Sequence, residues 1–214
     1  MTTDVESTYA EITSVEELEE LIGTPAPNAA NKERDRLHEL DVQWLAASPF
    51  CVISTSDADG NCDASPKGDP AGQLAYVIDE KTIAIAERPG NKRVDGYRNI
   101  LSNPHVGLLF LIPGRGDTLR INGRARLVTD APFFDDLVVK GHRPLLAIVV
   151  EIDTVFHHCA KAFMRSKLWQ PDTWQPDVVP NRPRIAKALE RKDEDLAEIE
   201  RYYSDAEYGK KLYA

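Results

Sequence analysis

Between His105 and Gly123 the chain has few options other than a β-hairpin. The run His105-Val-Gly-Leu-Leu-Phe-Leu-Ile112 is apolar and rich in β-formers. A Pro-Gly-Arg-Gly-Asp turn follows, and Thr118-Leu-Arg-Ile-Asn-Gly123 runs back. So short a connection joins antiparallel neighbours, because a parallel pair needs a long crossover. The pattern recurs along the chain. Phe50–Ser56 is a strand, Asp57-Ala-Asp-Gly-Asn61 a turn, and Cys62–Pro66 the return strand, which leads into the loop Lys67–Gly72. Gln73–Ile78 and Lys81–Ala86 flank the tight turn Asp79-Glu80, the second strand of the 105–123 hairpin extends to Val128, and Leu145–Thr154 is the last long strand. The chain therefore reads as roughly seven strands with short helices between them, a mainly β fold with helices (β+α). Segments 105–112 and 145–152 are apolar on nearly every residue. Burial on both faces is expected for them, as for barrel staves covered outside by helices or another subunit.

The helical signals lie around this centre. Ser14 and Glu17 fit a capping box, so a short helix should run to Ile22 and stop at Gly23. After the Thr24-Pro-Ala-Pro27 linker, a helix over about 31–47 places Leu37, Leu40, Trp44 and Leu45 at helical spacing, and Ser48-Pro49 ends it. Further helices are expected from the Asn91–Arg93 turn to Ser102, and from Ala131 to Val139 with Asp130 as cap. The segment 172–183 is Pro-rich with an exposed Trp174, and a highly charged helix follows over about 184–203. Three parts result: a helical extension (1–48), a strand-rich domain (49–170), and a Pro-rich linker with a charged helix (171–214).

Composition narrows the function classes. With 26 Lys and Arg against 35 Asp and Glu, the net charge is −9. That argues against a nucleic-acid partner, which favours a basic face, and against an anionic membrane surface. No apolar run approaches a membrane span, and no secretory h-region is visible at the N-terminus, so a cytoplasmic location is expected. Three cysteines (Cys51, Cys62, Cys159) without a CxxC pair speak against a disulfide framework or zinc knuckle. GxSxG, P-loop and GxGxxG signatures are absent.

Against the acidic background one basic cluster stands out. Arg88, Lys92 and Arg93 sit at or just before a helix N-terminus, where the helix dipole is already positive. Free backbone N–H groups also point outward there. An anion resolves both problems, and a phosphate is the usual one, so a small phosphorylated ligand is expected. Asn91 can cap the helix and Gly90 permits close backbone approach. The alternative is a solvated basic turn paired with acids such as Glu87 and Asp95. A second candidate is Ser65-Pro-Lys-Gly-Asp69, where a strand runs into a loop. Pro66 lacks a donor, Gly68 permits close approach, and Lys67 could hydrogen-bond a heterocycle or a phosphate. It could equally be an ordinary turn. In the third candidate, 157–169, Lys161 and Arg165 are four apart, and like charges at that spacing hint at a shared anion. The alternative is a surface helix held by Phe163 and Leu168. His157-His158-Cys159 is not read as a metal site, since adjacent side chains diverge and no spaced partner motif exists. Cys159 is expected to be buried and structural.

Taken together, these pieces resemble the pyridoxamine 5′-phosphate oxidase-like, FMN-binding split-barrel flavoproteins. The resemblance rests on the Gly-Asn-Lys-Arg turn, the short helix, Asn103-Pro104, the apolar strand and Leu-Arg-Ile-Asn-Gly. A bacterial branch adds Ser-Pro-Lys-Gly-Asp-Pro and a later His-Cys-Ala-Lys-Ala…Arg-Ser-x-Leu-Trp, both present here (65–70 and 158–169). It covers about residues 30–175. The resemblance implies a homodimeric FMN-binding split barrel with two FMN molecules at the dimer interface, acting as an oxidoreductase on a small-molecule substrate. It implies that Asn91 and Lys92 clamp the phosphate, helped by Arg88 and Arg93. Ser65, Pro66, Lys67 and Gly68 would run along the isoalloxazine edge, with Ile85 and Ala86 under the ring. Thr118 and Arg120 would lie near its pyrimidine side. Lys161, Arg165, Ser166 and Trp169 would reach the flavin from the other subunit. The Arg-x-His motif by which the true oxidases grip pyridoxal phosphate is absent, so vitamin B6 oxidation is not implied. Two other readings stay open: a non-catalytic module holding FMN, haem or another anionic ligand, and a deazaflavin-dependent reductase on the same fold.

Overall fold

The computed structural model describes residues 9–213. Residues up to Glu33 form one compact unit and those from Arg34 onward a second. The first holds helices α1 (Val15–Ile22) and α2 (Pro27–Ala30). Ser14 Oγ accepts from the Glu17 N–H at 3.1 Å, as the capping signal requires, and Gly23 ends α1 with φ 85°. The Glu17 carboxylate reaches the Thr13 N–H at 2.9 Å rather than that of Ser14.

The second unit is built on seven strands: β1 (Phe50–Ser56), β2 (Cys62–Gly68), β3 (Tyr76–Asp79), β4 (Thr82–Ala86), β5 (His105–Leu111), β6 (Thr118–Val128) and β7 (Ala147–His158). They form one antiparallel sheet in the order β2-β1-β5-β6-β7-β4-β3. Although β1 and β4 stand four places apart in that order, Ile53 and Ile83 share one hydrophobic core with Leu108, Phe110, Ile121 and Val150. The sheet therefore curls around its own interior, and its two ends, β2 and β4–β3, approach across a gap. A shift in register at Asn122/Gly123 helps the long β6–β7 pair bend. Gly123 is required at that point, because a Cβ there would lie 2.0 Å from the Glu151 carbonyl oxygen.

The same unit holds helices α3 (Glu39–Ala47), α4 (Asp95–Ser102), α5 (Lys161–Ser166), α6 (Arg182–Leu189), α7 (Leu196–Tyr202) and α8 (Asp205–Tyr208); α4 packs on β1, β2 and β6, and α7 packs on α6 and α8. Among the described residues no helix is long and apolar enough to cross a membrane.

Several expectations need correction. The helix expected over 31–47 begins only at Glu39, because the backbone before it is used elsewhere. Arg34 exchanges hydrogen bonds with Val155 (3.1 and 2.8 Å), and the Leu37 N–H donates to the Glu80 carbonyl at 2.7 Å. Leu40 is accordingly exposed, while Leu37, Trp44 and Leu45 are buried. β2 continues through Lys67 and Gly68, and it tolerates Pro66 because it is the sheet's end strand. Gln73–Ala75 lie in the connection before the strand, so β3 starts at Tyr76. No α-helix forms over 131–139. A 3₁₀ turn (Phe134–Leu137) stands there, Asp130 pairs with Arg143 at 2.6 Å, and Val139 and His142 close a tight turn through Lys140 and Gly141. β5 alternates, with Val106, Leu108 and Phe110 buried and Leu109 and Leu111 only half-buried; burial on both faces holds for Ala147–Val150 of β7. The expected charged helix is two, α6 and α7, because Asp195 caps a fresh start by accepting from the Ala197 N–H at 2.8 Å. Cys159 is exposed, and Cys51 is the buried cysteine.

Candidate functional site

The gap between the sheet ends is a cleft of about 590 Å³, within the range of small-molecule sites. One wall is the end of β2: Ser65, Pro66, Lys67 and Gly68, continuing into Asp69 and Pro70. The other is Ala86 at the end of β4 and the loop that follows, including Arg88, Gly90, Asn91, Lys92 and Arg93. Tyr208, Leu212 and Tyr213 from the C-terminal segment complete it. A smaller recess of about 210 Å³ opens from Ser65–Lys67 towards Asn91, Arg93 and the first turn of α4.

Lys67 spans the gap. Its ammonium lies 3.1 Å from the Tyr97 hydroxyl and 3.5 Å from the Glu87 carboxylate, tying β2 to the far wall and to α4. Arg88 and Asp69 form the most enclosed ion pair of the cleft, at 2.7 Å with side-chain exposures of 13% and 3%. This pair uses Arg88 Nε only. Nη2 of the same guanidinium is buried without a hydrogen-bond partner. A buried donor left unmade costs about 1–3 kcal/mol, so Arg88 is a group set to receive an acceptor.

The loop itself is conformationally strained. Lys92 has φ 60°, the left-handed region that residues with a Cβ adopt at a cost of about 1–3 kcal/mol. Asn91 supports this turn, accepting from the Arg93 N–H at 2.9 Å through its side chain. Contrary to the expectation from the sequence, it therefore does not cap α4. The N-cap position is Val94, and no side chain caps that terminus. Turns of this kind and open helix N-termini both gather anions. The expected acidic pairing is also present: Arg93 meets Asp95 at 2.8 Å, which raises its pKa. Burial pushes the Cys51 thiol up to about 12, despite the nearby Lys67 charge, which removes it as a nucleophile.

Of the residues singled out from the sequence, nine line the cleft: Ser65, Pro66, Lys67, Gly68, Ala86, Arg88, Asn91, Lys92 and Arg93. Ile85 points the other way, into the core, as strand alternation requires. Six lie elsewhere in the chain. Thr118 is buried at the start of β6, and Arg120 lies on β6 over the Phe156 ring at 5.3 Å, bonded to Asn122 at 3.1 Å. Lys161, Arg165 and Ser166 are on α5, where Ser166 Oγ donates to the Phe163 carbonyl at 3.2 Å. Trp169 is not on that helix. Lys167 turns the chain left-handed (φ 53°), and Trp169 folds back to stack on Phe163, with centroids 5.8 Å apart. Its Nε1 donates to the Arg115 carbonyl at 2.6 Å. Sequence reasoning missed Asp69, Tyr97 and the C-terminal tyrosine. Asp69 stands inside the Ser-Pro-Lys-Gly-Asp motif and was open to assignment. Tyr213 carried no local signal, since its contact is 144 positions away.

The curled antiparallel sheet, with a basic cleft between its ends, defines a small open barrel. The pyridoxamine 5′-phosphate oxidase family model matches residues 37–159, more than half of the chain, and the chain belongs to that family. Among solved structures it is similar to HupZ of Group A Streptococcus (17% identity, 56% of this chain and 93% of that one, TM-score 0.46). It is also similar to General Stress Protein 26 of Bacillus anthracis (16%, 54% and 88%, 0.42). An FMN-binding protein of Syntrophomonas wolfei is a third (15%, 56% and 89%, 0.42). No curated protein matches the chain.

Proposed function

We propose that the cleft binds FMN and that the protein is a flavin-dependent oxidoreductase acting on a small-molecule substrate. The observation that carries this reading is the buried, unpartnered Arg88 Nη2. It sits in a cleft that also presents Lys92, Arg93 and Lys67. Membership of the pyridoxamine 5′-phosphate oxidase family supports it further. In this reading the loop from Arg88 to Arg93 holds the phosphate, and Ser65–Gly68 line the ring edge. Bound flavin would supply the hydride or electron chemistry. The chain's own part is to bind and orient the ring, and to keep the Lys67 charge near it.

The working form we propose is a homodimer. Thr118, Arg120, Lys161, Arg165, Ser166 and Trp169, which lie off the cleft of their own protomer, would complete the partner's. Light scattering after size exclusion should then report a dimer; a monomer that retains flavin would contradict it. The cofactor assignment is tested by titrating the purified protein with FMN and with riboflavin. FMN should bind at least about tenfold tighter, the equivalent of one charged hydrogen bond. Equal affinities would remove the phosphate site. A haem or deazaflavin spectrum in the purified protein would replace the cofactor, and reduction by a nicotinamide with turnover would distinguish an enzyme from a carrier.

A further inference from the structure

The cleft has a wall that belongs neither to the sheet nor to the basic loop. The last residues fold back through α8 and a 3₁₀ turn (Gly209–Lys211), and Tyr208, Leu212 and Tyr213 face the opening. Tyr213 makes the specific contact. Its hydroxyl donates to Asp69 Oδ1 at 2.8 Å, the oxygen that Arg88 leaves unused. Its ring lies beside the Arg88 guanidinium (5.9 Å), the Lys140 ammonium (5.2 Å) and the His142 ring (6.1 Å). Behind it the segment is anchored by an aromatic cluster, with Tyr203 and Tyr208 centroids 5.6 Å apart and Lys211 Nζ 3.9 Å from the centre of the Tyr202 ring. The segment is thus fixed at its base, and at its tip the Tyr213 hydroxyl makes the hydrogen bond while the ring rests against Arg88, Lys140 and His142.

We propose that residues 205–213 form a lid over the cleft, latched by the hydrogen bond from Tyr213 to Asp69. The same Asp69 carboxylate holds Arg88, so the latch and the ligand-receiving guanidinium share one counter-ion. Release of Tyr213 opens the cleft without dismantling the sheet. Of the two bonds at Asp69, Tyr213 supplies the one that can leave, because a single bond from a neutral phenol is weaker than the enclosed ion pair with Arg88.

This inference adopts the cleft as the ligand site and adds the element that closes it, so its test reads access to the cleft first and flavin second. In a background with Cys62→Ser and Cys159→Ser, Ser65→Cys places one thiol on the cleft wall. Its modification by a small maleimide is timed with Tyr213 intact, with Tyr213→Phe, and with the chain ended at Ser204. Labelling should accelerate at least about tenfold in Tyr213→Phe, the equivalent of one hydrogen bond to a charged group, and further in the truncation. Unchanged labelling in Tyr213→Phe overturns the latch, whatever the truncation does. Stopped-flow mixing with FMN, done with Ser65 intact, should show faster association and dissociation in Tyr213→Phe and in the truncation than in the wild type. If labelling accelerates while no variant binds FMN, the lid stands and the cofactor reading falls.

Discussion

Two enclosed ion pairs in this protein are built differently. At Asp41, 1% exposed, both carboxylate oxygens are used twice. Oδ2 takes Arg34 Nη1 and the His38 N–H, and Oδ1 takes Arg34 Nη2 at 3.0 Å and His157 Nε2 at 3.0 Å. The group accepts about all that a carboxylate can. It joins the N-terminus of α3 to β7 and leaves nothing for a ligand. At Asp69 the geometry is open: one oxygen takes Arg88 Nε, the other the Tyr213 hydroxyl, and the guanidinium keeps a buried donor unmade. A satisfied pair of this kind holds structure. An unsatisfied one beside a cleft is where a ligand gains binding energy, because it supplies the partner that the fold withholds.

The largest effect that would break this contrast comes from the open side. Lys92→Ala combined with Arg93→Ala should weaken FMN binding by about 1.5–3 kcal/mol for each charged contact removed. The denaturant midpoint should barely move, since both side chains are exposed. An FMN titration beside a urea melt reads both. A loss of stability with unchanged affinity would invert the assignment.

Asp41→Ala should do the opposite. Removing one partner of a buried pair costs about 3–5 kcal/mol, and the lower end applies because Arg34 is 36% exposed. The capping box of α3 is lost with it. Equilibrium urea unfolding measures this, and a midpoint equal to wild type would show the clip to be dispensable.

Acid titration sharpens the same point. Burial alone would raise the Asp41 pKa. The bonds from Arg34, His38 and His157 and the Arg34 charge outweigh it and hold the group below the ordinary carboxylate value. A carboxyl depressed on folding adds stability that is complete above its unfolded pKa of about 4. That stability is lost as pH falls through the lowered folded value. Asp41→Asn should therefore flatten the fall in stability below about pH 4. An identical acid limb in both proteins would assign the acid sensitivity to other groups.

The smallest effect is expected at Trp169. If its segment completes a partner's cleft, Trp169→Ala should change flavin fluorescence or affinity while circular dichroism stays that of the folded protein. An unchanged flavin spectrum and affinity would leave Trp169 as the cover of Phe163 and nothing more.

Elements fixed by local chemistry were readable from the sequence. The β5–β6 hairpin follows from an apolar run and a Gly/Pro turn, α1 from its cap and terminal glycine, and β2 from its pairing distance to β1. The basic loop was readable too, because cations before a helix N-terminus are unusual in themselves. Expectations failed where distant partners compete for the backbone or the side chain. Residues 31–38 are helical by spacing, yet Val155 and Glu80 take their backbone groups. Asp130 is a plausible cap, yet Arg143 takes its carboxylate. Asn91 is the residue type that caps helices, yet it closes its own turn.

The sequence by itself determined the strand number, the antiparallel hairpin pairs and the position of the basic loop, since each depends on residues close together in the chain. Tertiary structure alone decided that the ends of the sheet approach across the cleft, that Asp69 stands between Arg88 and Tyr213, and that Tyr208, Leu212 and Tyr213 line the cleft. Those outcomes join segments far apart in sequence. Hydrophobic periodicity specifies which face of a strand is buried, but it does not say which distant residue will meet it.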